Sequence, residues 1–277
     1  MTSSNAIVNT NRSIYRRLPQ LLKRTRRDVF ITPREKSPAD VVTVGKLLSS
    51  LNPVPNHSIL LGECKDGLPF LMQLADSDLG GILIGGDTGC GKTHQLQVMA
   101  DSAMRLNSPH DLQISILTHK PDEWRSFWGK RRQEKYLYQL KAWYDPSAEE
   151  LIDGFLHLAE ARREGKQEGA SILFIVDDFN FVEDLSYAAQ VNLHWLLAYG
   201  AQSGIWIAAG IKAIYAPKFR YWIDSFRTRI IGDTKNSEAV EILSASENCK
   251  PESHKQGFFK IWTGSHWLRY RLPLLGD

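Results

Sequence analysis

From residue 58 onward the chain alternates short, continuous apolar runs with stretches whose apolar residues recur every three or four positions. The first pattern predicts buried strands and the second predicts helices packed on a sheet. Residues 58–62 and 68–73 read as a strand pair around the turn Lys65-Asp66-Gly67. Further strands are expected at 81–85, 113–118, 171–176, 205–209 and 229–231, with helices at 92–106, 148–164, 187–203 and 237–243. Residues 258–261 and 267–272 read as a closing hairpin. Apolar strands alternating with helices predict an α/β fold, a mostly parallel sheet with helices on both faces. Before it, residues 32–57 hold Pro33, Pro38, Pro53 and Pro55 and read as a connector with one short helix at 39–49. The expected division is therefore an arm and linker over 1–57 and one α/β domain over 58–277.

Of the 277 residues 43% are hydrophobic and 23% charged, which excludes a disordered chain, a coiled coil and a collagen-like repeat. The net charge of +3 is unevenly spread. Residues 12–36 hold nine basic residues against Asp28 and Glu35, a local balance of +7, so the rest of the chain sums to −4. Leu18, Leu21 and Leu22 lie among the arginines and fit a short basic amphipathic helix. Such a basic N-terminal arm can neutralise phosphates, dock on an acidic protein surface, or serve as a solvated leader. Three cysteines, Cys64, Cys90 and Cys249, make no disulfide framework and have no metal-ligand spacing. With no apolar run near the ~18 residues of a membrane span and no signal core, a cytoplasmic protein is expected.

One motif carries most of the chemistry. Gly86-Asp87-Thr88-Gly89-Cys90-Gly91-Lys92-Thr93 matches G-x-x-x-x-G-K-[ST] without a mismatch, between a predicted strand and a predicted helix. Glycines let the backbone curl so that several N–H groups point at one anion, and the helix N-terminus adds its positive end. Lys92 would place a charge near the β- and γ-phosphates of ATP, and the Thr93 hydroxyl would ligate Mg2+. Cys90 either carries a thiolate favoured by the helix start and Lys92, or is a small residue that fits.

The apolar run Ser171-Ile172-Leu173-Phe174-Ile175-Val176 ends in Asp177-Asp178. Carboxylates at the C-terminal end of a central strand face the nucleotide crevice of an open α/β sheet. Asp177 is expected to hold Mg2+, and Asp178 either to orient and deprotonate the attacking water or to cap the next segment.

With these residues in view, the chain resembles the FtsK/HerA class of P-loop ATPases, ring motors that pump double-stranded DNA. Leu61 to Leu74 resembles the family's "LG-x-x-x-x-G" strand pair, and Leu117 to Trp124 its "DPK…E" strand end. Glu160-Ala161-Arg162-Arg163 is similar to "EM-x-x-R", Ser203 to Ala208 to "AGIHLI", and Thr228-Arg229-Ile230 to "TRI". The resemblance covers about residues 58–272. It implies a RecA-like P-loop NTPase fold, ATP and Mg2+ as cofactors, and a homo-oligomer, a hexameric ring with ATP sites between subunits. It also implies Arg229, with Arg227 second, as an arginine reaching the neighbour's nucleotide; the alternative is a surface or salt-bridged arginine. Departures are Asp178 where the family has Glu, Lys212 near the family's glutamine, and Ala201 near its arginine.

Residues 124–144 interleave Arg125, Lys130, Arg131, Arg132, Lys135 and Lys141 with seven aromatics, among them Trp124, Trp128, Tyr138 and Trp143. This composition suits a surface tracking the phosphates of DNA, or aromatics packed beneath a solvated excursion. Lys212, Lys218 and Arg220 form a second basic stretch with the same DNA-contacting expectation. The expected function is an ATP-hydrolysing motor translocating double-stranded DNA in transfer, segregation or packaging. The rivals are a viral genome-packaging ATPase docked on a capsid through the arm, and an ATP-dependent assembly scaffold or regulator of an effector protein.

Overall fold

The structure, a computed structural model, describes residues 42–49, 51, 53–76, 78–131, 134–245, 256–263 and 266–277. The basic arm, the start of the helix expected at 39–49, Arg132 and Cys249 lie outside the described residues.

Ten strands form one sheet: β1 (Ser58–Cys64), β2 (Pro69–Gln73), β3 (Ile82–Gly86), β4 (Leu112–Thr118), β5 (Leu137–Ala142), β6 (Ser171–Asp177), β7 (Ile205–Lys212), β8 (Thr228–Ile231), β9 (Phe258–Trp262) and β10 (Trp267–Arg271). Their order across the sheet is β2-β1-β10-β9-β8-β3-β7-β6-β4-β5. The six strands from β8 to β5 are parallel, and β9, β10, β1 and β2 extend the sheet as antiparallel neighbours. The helices are α1 (Val44–Leu48), α2 (Lys92–Leu106), α3 (Pro121–Arg131), α4 (Ser147–Arg163), α5 (Tyr187–Tyr199), α6 (Arg220–Ile223) and α7 (Ser237–Ser244).

Successive strand side chains point to opposite faces, so the apolar runs feed two cores at once. On β6, Leu173 and Ile175 join Leu96, Met99 and Ala103 of α2 on one face. Ile172, Phe174 and Val176 join Ile152 and Phe155 of α4 and Leu193 and Leu196 of α5 on the other. Every residue of β3 is buried, as expected for a central parallel strand covered on both sides. The antiparallel wing is tied in by polar bonds. Tyr270 Oη donates to Gln95 Oε1 at 3.0 Å, Gln95 Nε2 donates to Leu61 O at 3.0 Å, and Arg271 Nε meets Glu63 Oε2 at 2.6 Å. Val42 to Leu48 pack on the body through Leu60 and Val98, and Val44 N donates to Leu274 O at 3.0 Å.

Three segments differ from expectation. The helix expected to reach residue 203 stops at Tyr199, because Gly200 to Ser203 tightens into a 3-10 turn closed by Gly204 in the left-handed region. Two elements, α3 and β5, occupy the stretch read as a basic-aromatic excursion. Within α3, Trp124, Phe127 and Trp128 fall on one face at helical spacing and are buried in the α2-side core. The packed reading of these aromatics is the observed one, although Tyr138 and Tyr144 are exposed.

Candidate nucleotide-binding site

The P-loop turns from β3 into α2. Gly89 has φ +83° and Gly91 φ +109°, a region L side chains rarely adopt, so both positions require glycine. Open space lies above Gly89, where a Cβ would meet nothing within 4 Å. The first turn of α2 leaves backbone N–H groups without intrahelical acceptors where the loop enters the helix. The loop is braced from β8's exit: Asp87 N donates to Asp233 O at 2.8 Å, and Lys235 N to Asp87 Oδ2 at 3.1 Å. Gly257 N donates to Cys90 O at 3.2 Å from the other side.

Lys92 curls back over its own loop, its ammonium donating to Gly86 O at 3.0 Å and Asp87 O at 2.8 Å. Cys90 is buried under the loop, and its Sγ would lie 2.6 Å from a Cβ on Gly86. Burial pushes its thiol pKa up, and Lys92 offsets that only in part. Burial and the close approach of Gly86 suit a small residue that fits.

Strand β7 lies between β3 and β6, so Asp177 stands one strand away from the loop. The intervening residue is Gly210, where a Cβ would lie 3.7 Å from Asp177 Oδ1 and 3.8 Å from Lys92 Cβ. Thr93 Oγ1 donates to Asp177 Oδ1 at 3.1 Å, and Trp124 Nε1 to Asp177 Oδ2 at 3.0 Å. Asp177 is only 7% exposed. Burial raises its pKa, with Asp178 adding to the rise and the Trp124 and Thr93 bonds opposing it. Thr93 and Asp177 thus present two hard oxygen donors side by side, one of them a desolvated carboxylate. That donor set fits Mg2+, which binds through few protein oxygens and completes its shell with phosphates and water.

Asp178 does not cap the following turn; its Oδ2 meets Lys212 Nζ at 2.9 Å. Lys212 ends β7 beside Gly86, and its backbone N donates to Asn180 Oδ1 at 3.3 Å.

No family model and no curated protein sequence matches the chain. Solved structures do match. EccC of Thermomonospora curvata (ATPases 2 and 3, in complex with a signal sequence peptide) is 18% identical, with TM-score 0.68, over 86% of this chain and 44% of that one. The pCW3 conjugation coupling protein TcpA is 15% identical, with TM-score 0.64, over 86% of this chain and 70% of that one. The chain shares the fold of these ATPases. A third match is B204, the DNA-packaging ATPase from Sulfolobus turreted icosahedral virus, 15% identical with TM-score 0.50 over 70% of this chain and 98% of that one. The chain spans less than half the length of the EccC structure it matches.

Arg229 does not join the P-loop cluster. Its guanidinium donates to Phe226 O at 3.3 Å and Ile242 O at 3.0 Å, and pairs with Asp224 Oδ1 at 3.1 Å. The side chain, 14% exposed, is a salt-bridged arginine bracing α7. Arg227 lays its aliphatic stem over Gly80. Of the second basic stretch, Lys212 is paired with Asp178 and Lys218 with Glu183. Reading the sequence missed two parts of the site. The first is Trp124, whose i, i+3, i+4 partners Phe127 and Trp128 were the available signal for a helix. The second is the Asp178–Lys212 pair, which depends on β6 and β7 becoming neighbours.

Proposed function

We propose that this chain is an ATP-hydrolysing motor subunit that works in a homo-oligomeric, hexameric ring to move double-stranded DNA. The observation that carries this reading is the convergence of Lys92, Thr93 and Asp177 at the C-terminal ends of β3 and β6. On this reading Gly86 to Thr93 hold the ATP phosphates, and Lys92 leaves the loop carbonyls for the β- and γ-oxygens. Thr93 and Asp177 hold Mg2+, which offsets the cost of the buried carboxylate. Asp178 orients the attacking water after parting from Lys212. A DNA cargo is supported by the likeness to TcpA, a conjugation coupling protein, and B204, a DNA-packaging ATPase.

A second reading rests on the Asp178–Lys212 ion pair. A carboxylate held by a lysine is not free to orient water, which suits an ATP-dependent assembly scaffold with slow turnover. Hydrolysis measured with and without long duplex DNA, beside displacement of a triplex-forming oligonucleotide, separates the two. The motor predicts DNA-stimulated hydrolysis and displacement; slow hydrolysis indifferent to DNA contradicts it and favours the scaffold.

A further inference from the structure

Helices α4 and α5 lie side by side on the sheet face away from α2. Near the start of α4, Glu149 accepts from N and Oγ of Ser186, the cap of α5, at 2.7 and 2.6 Å. One turn on, Asp153 accepts from Asn192 Nδ2 at 3.2 Å, and at the far end Arg163 stands over the rings of Trp195 and Tyr199. The two helices therefore share a groove that is acidic at its head.

The floor of that groove is apolar. Leu193, Leu196 and Leu197 of α5 face the core, yet Tyr187, Val191 and Tyr199 cover its outward side, and Tyr187 is 83% exposed. A helix apolar on both sides is ordinarily covered on both. At the head of the groove, beyond the ends of β4 and β5, lies a cavity of about 540 Å³. Its walls combine the rings of Trp143, Tyr144 and Phe181 with the carboxylates of Asp145, Glu149 and Asp184. Among the described residues none of these three carboxylates is ion-paired with a lysine or arginine.

Aromatic faces beside unpaired carboxylates suit arginine, whose flat guanidinium stacks on rings while its N–H groups meet the oxygens. The apolar floor calls for leucines next to the arginines. Both occur together in the chain itself, where residues 12–27 interleave Arg16, Arg17, Arg24 and Arg26 with Leu18, Leu21 and Leu22. The charges are complementary, because residues 12–36 sum to +7 and the rest of the chain to −4. Fourteen residues of linker, 28–41, separate the arm from Val42 and can span up to about 46–50 Å.

We propose that the α4–α5 groove and the cavity at its head are the dock of the chain's own basic arm, residues 12–27, supplied by the same chain. The arm is thereby an element that binds the body and not a solvated leader. The proposal does not depend on ATP hydrolysis.

The test uses the full chain with p-benzoylphenylalanine in place of Leu21, irradiated and mapped by mass spectrometry. Crosslinks are expected in peptides covering residues 143–153 and 184–195. The double substitution Asp145→Asn with Asp184→Asn is expected to lower their yield at least about fivefold, as is 1 M salt. The control Glu238→Gln with Glu241→Gln, on exposed α7 positions, leaves the yield unchanged, and melting curves verify that each variant is folded. Yields independent of dilution are expected; yields that fall on dilution would place a second copy's arm there and overturn the proposal. Crosslinks confined to other faces, a yield indifferent to Asp145→Asn with Asp184→Asn, or crosslinks only to added duplex DNA would overturn the proposal.

Discussion

Replacing Asp177 by asparagine is expected to stabilise the protein while removing its Mg2+-dependent chemistry. The carboxylate is almost fully buried between two neutral donors, Thr93 Oγ1 and Trp124 Nε1, with no lysine, arginine or histidine within 4 Å among the described residues. Burial holds its pKa above the ordinary carboxylate value, and the neighbouring Asp178 adds to the rise. Asparagine keeps both bonds: its Oδ1 accepts from Trp124 and its Nδ2 donates to the Thr93 hydroxyl. The charge is removed at no cost in hydrogen bonds, and each unit of pKa elevation corresponds to about 1.4 kcal/mol. Relief of that burial cost raises Tm, by about 2–4 °C for each kcal/mol in a domain of this size. The sign of the pH dependence follows from the direction of the shift. The cost of the buried charge is complete above the folded-state pKa and fades as pH falls toward the unfolded value near about 4. The advantage of Asp177→Asn is therefore largest at pH 8 and narrows on acidification. Thermal melts at pH 8 and pH 5.5, with and without Mg·ATP, measure this, and Mg·ATP should raise Tm strongly only in the wild type. A variant that melts below the wild type at pH 8 without nucleotide would refute the reasoning.

Three further substitutions probe separate parts of the account. Lys212→Gln releases Asp178 and should raise basal hydrolysis about two- to fivefold, the scale of a half-exposed ion pair, with nucleotide affinity unchanged; a fall would assign Lys212 to the phosphate. Arg229→Ala removes its bonds to Phe226, Ile242 and Asp224 and should cost about 1–3 kcal/mol in a denaturant melt, while hydrolysis at low temperature persists. Loss of hydrolysis with unchanged stability would restore the trans-acting role. Tyr270→Phe leaves the buried Gln95 Oε1 without its donor and should lower stability by about 1–2 kcal/mol in the same melt, with no change in nucleotide affinity.

The features legible in the sequence are those written in local pattern. Helix α2 was expected at its observed bounds, because the P-loop starts it and Asn107 ends it, with Nδ2 donating to Ala103 O at 2.9 Å. The apolar runs of β3, β6 and β7 announced buried parallel strands for the same reason. Edge strand β5 was not legible, since its burial is graded and does not alternate. Within the site, the P-loop and Asp177 could be named from spacing and strand context. The partners of Asp178, Arg229 and Trp124 could not, because each bond joins residues brought together only by the order β3-β7-β6-β4 or by the packing of α3 and α7.

The most direct test of the central claim is steady-state hydrolysis of Mg·ATP by the wild type beside Lys92→Ala. The geometry around Gly86, Thr93 and Asp177 predicts Mg2+-dependent phosphate release that falls at least about a hundredfold in Lys92→Ala. Hydrolysis that persists in Lys92→Ala, or wild-type protein that neither binds nor hydrolyses Mg·ATP, would contradict it.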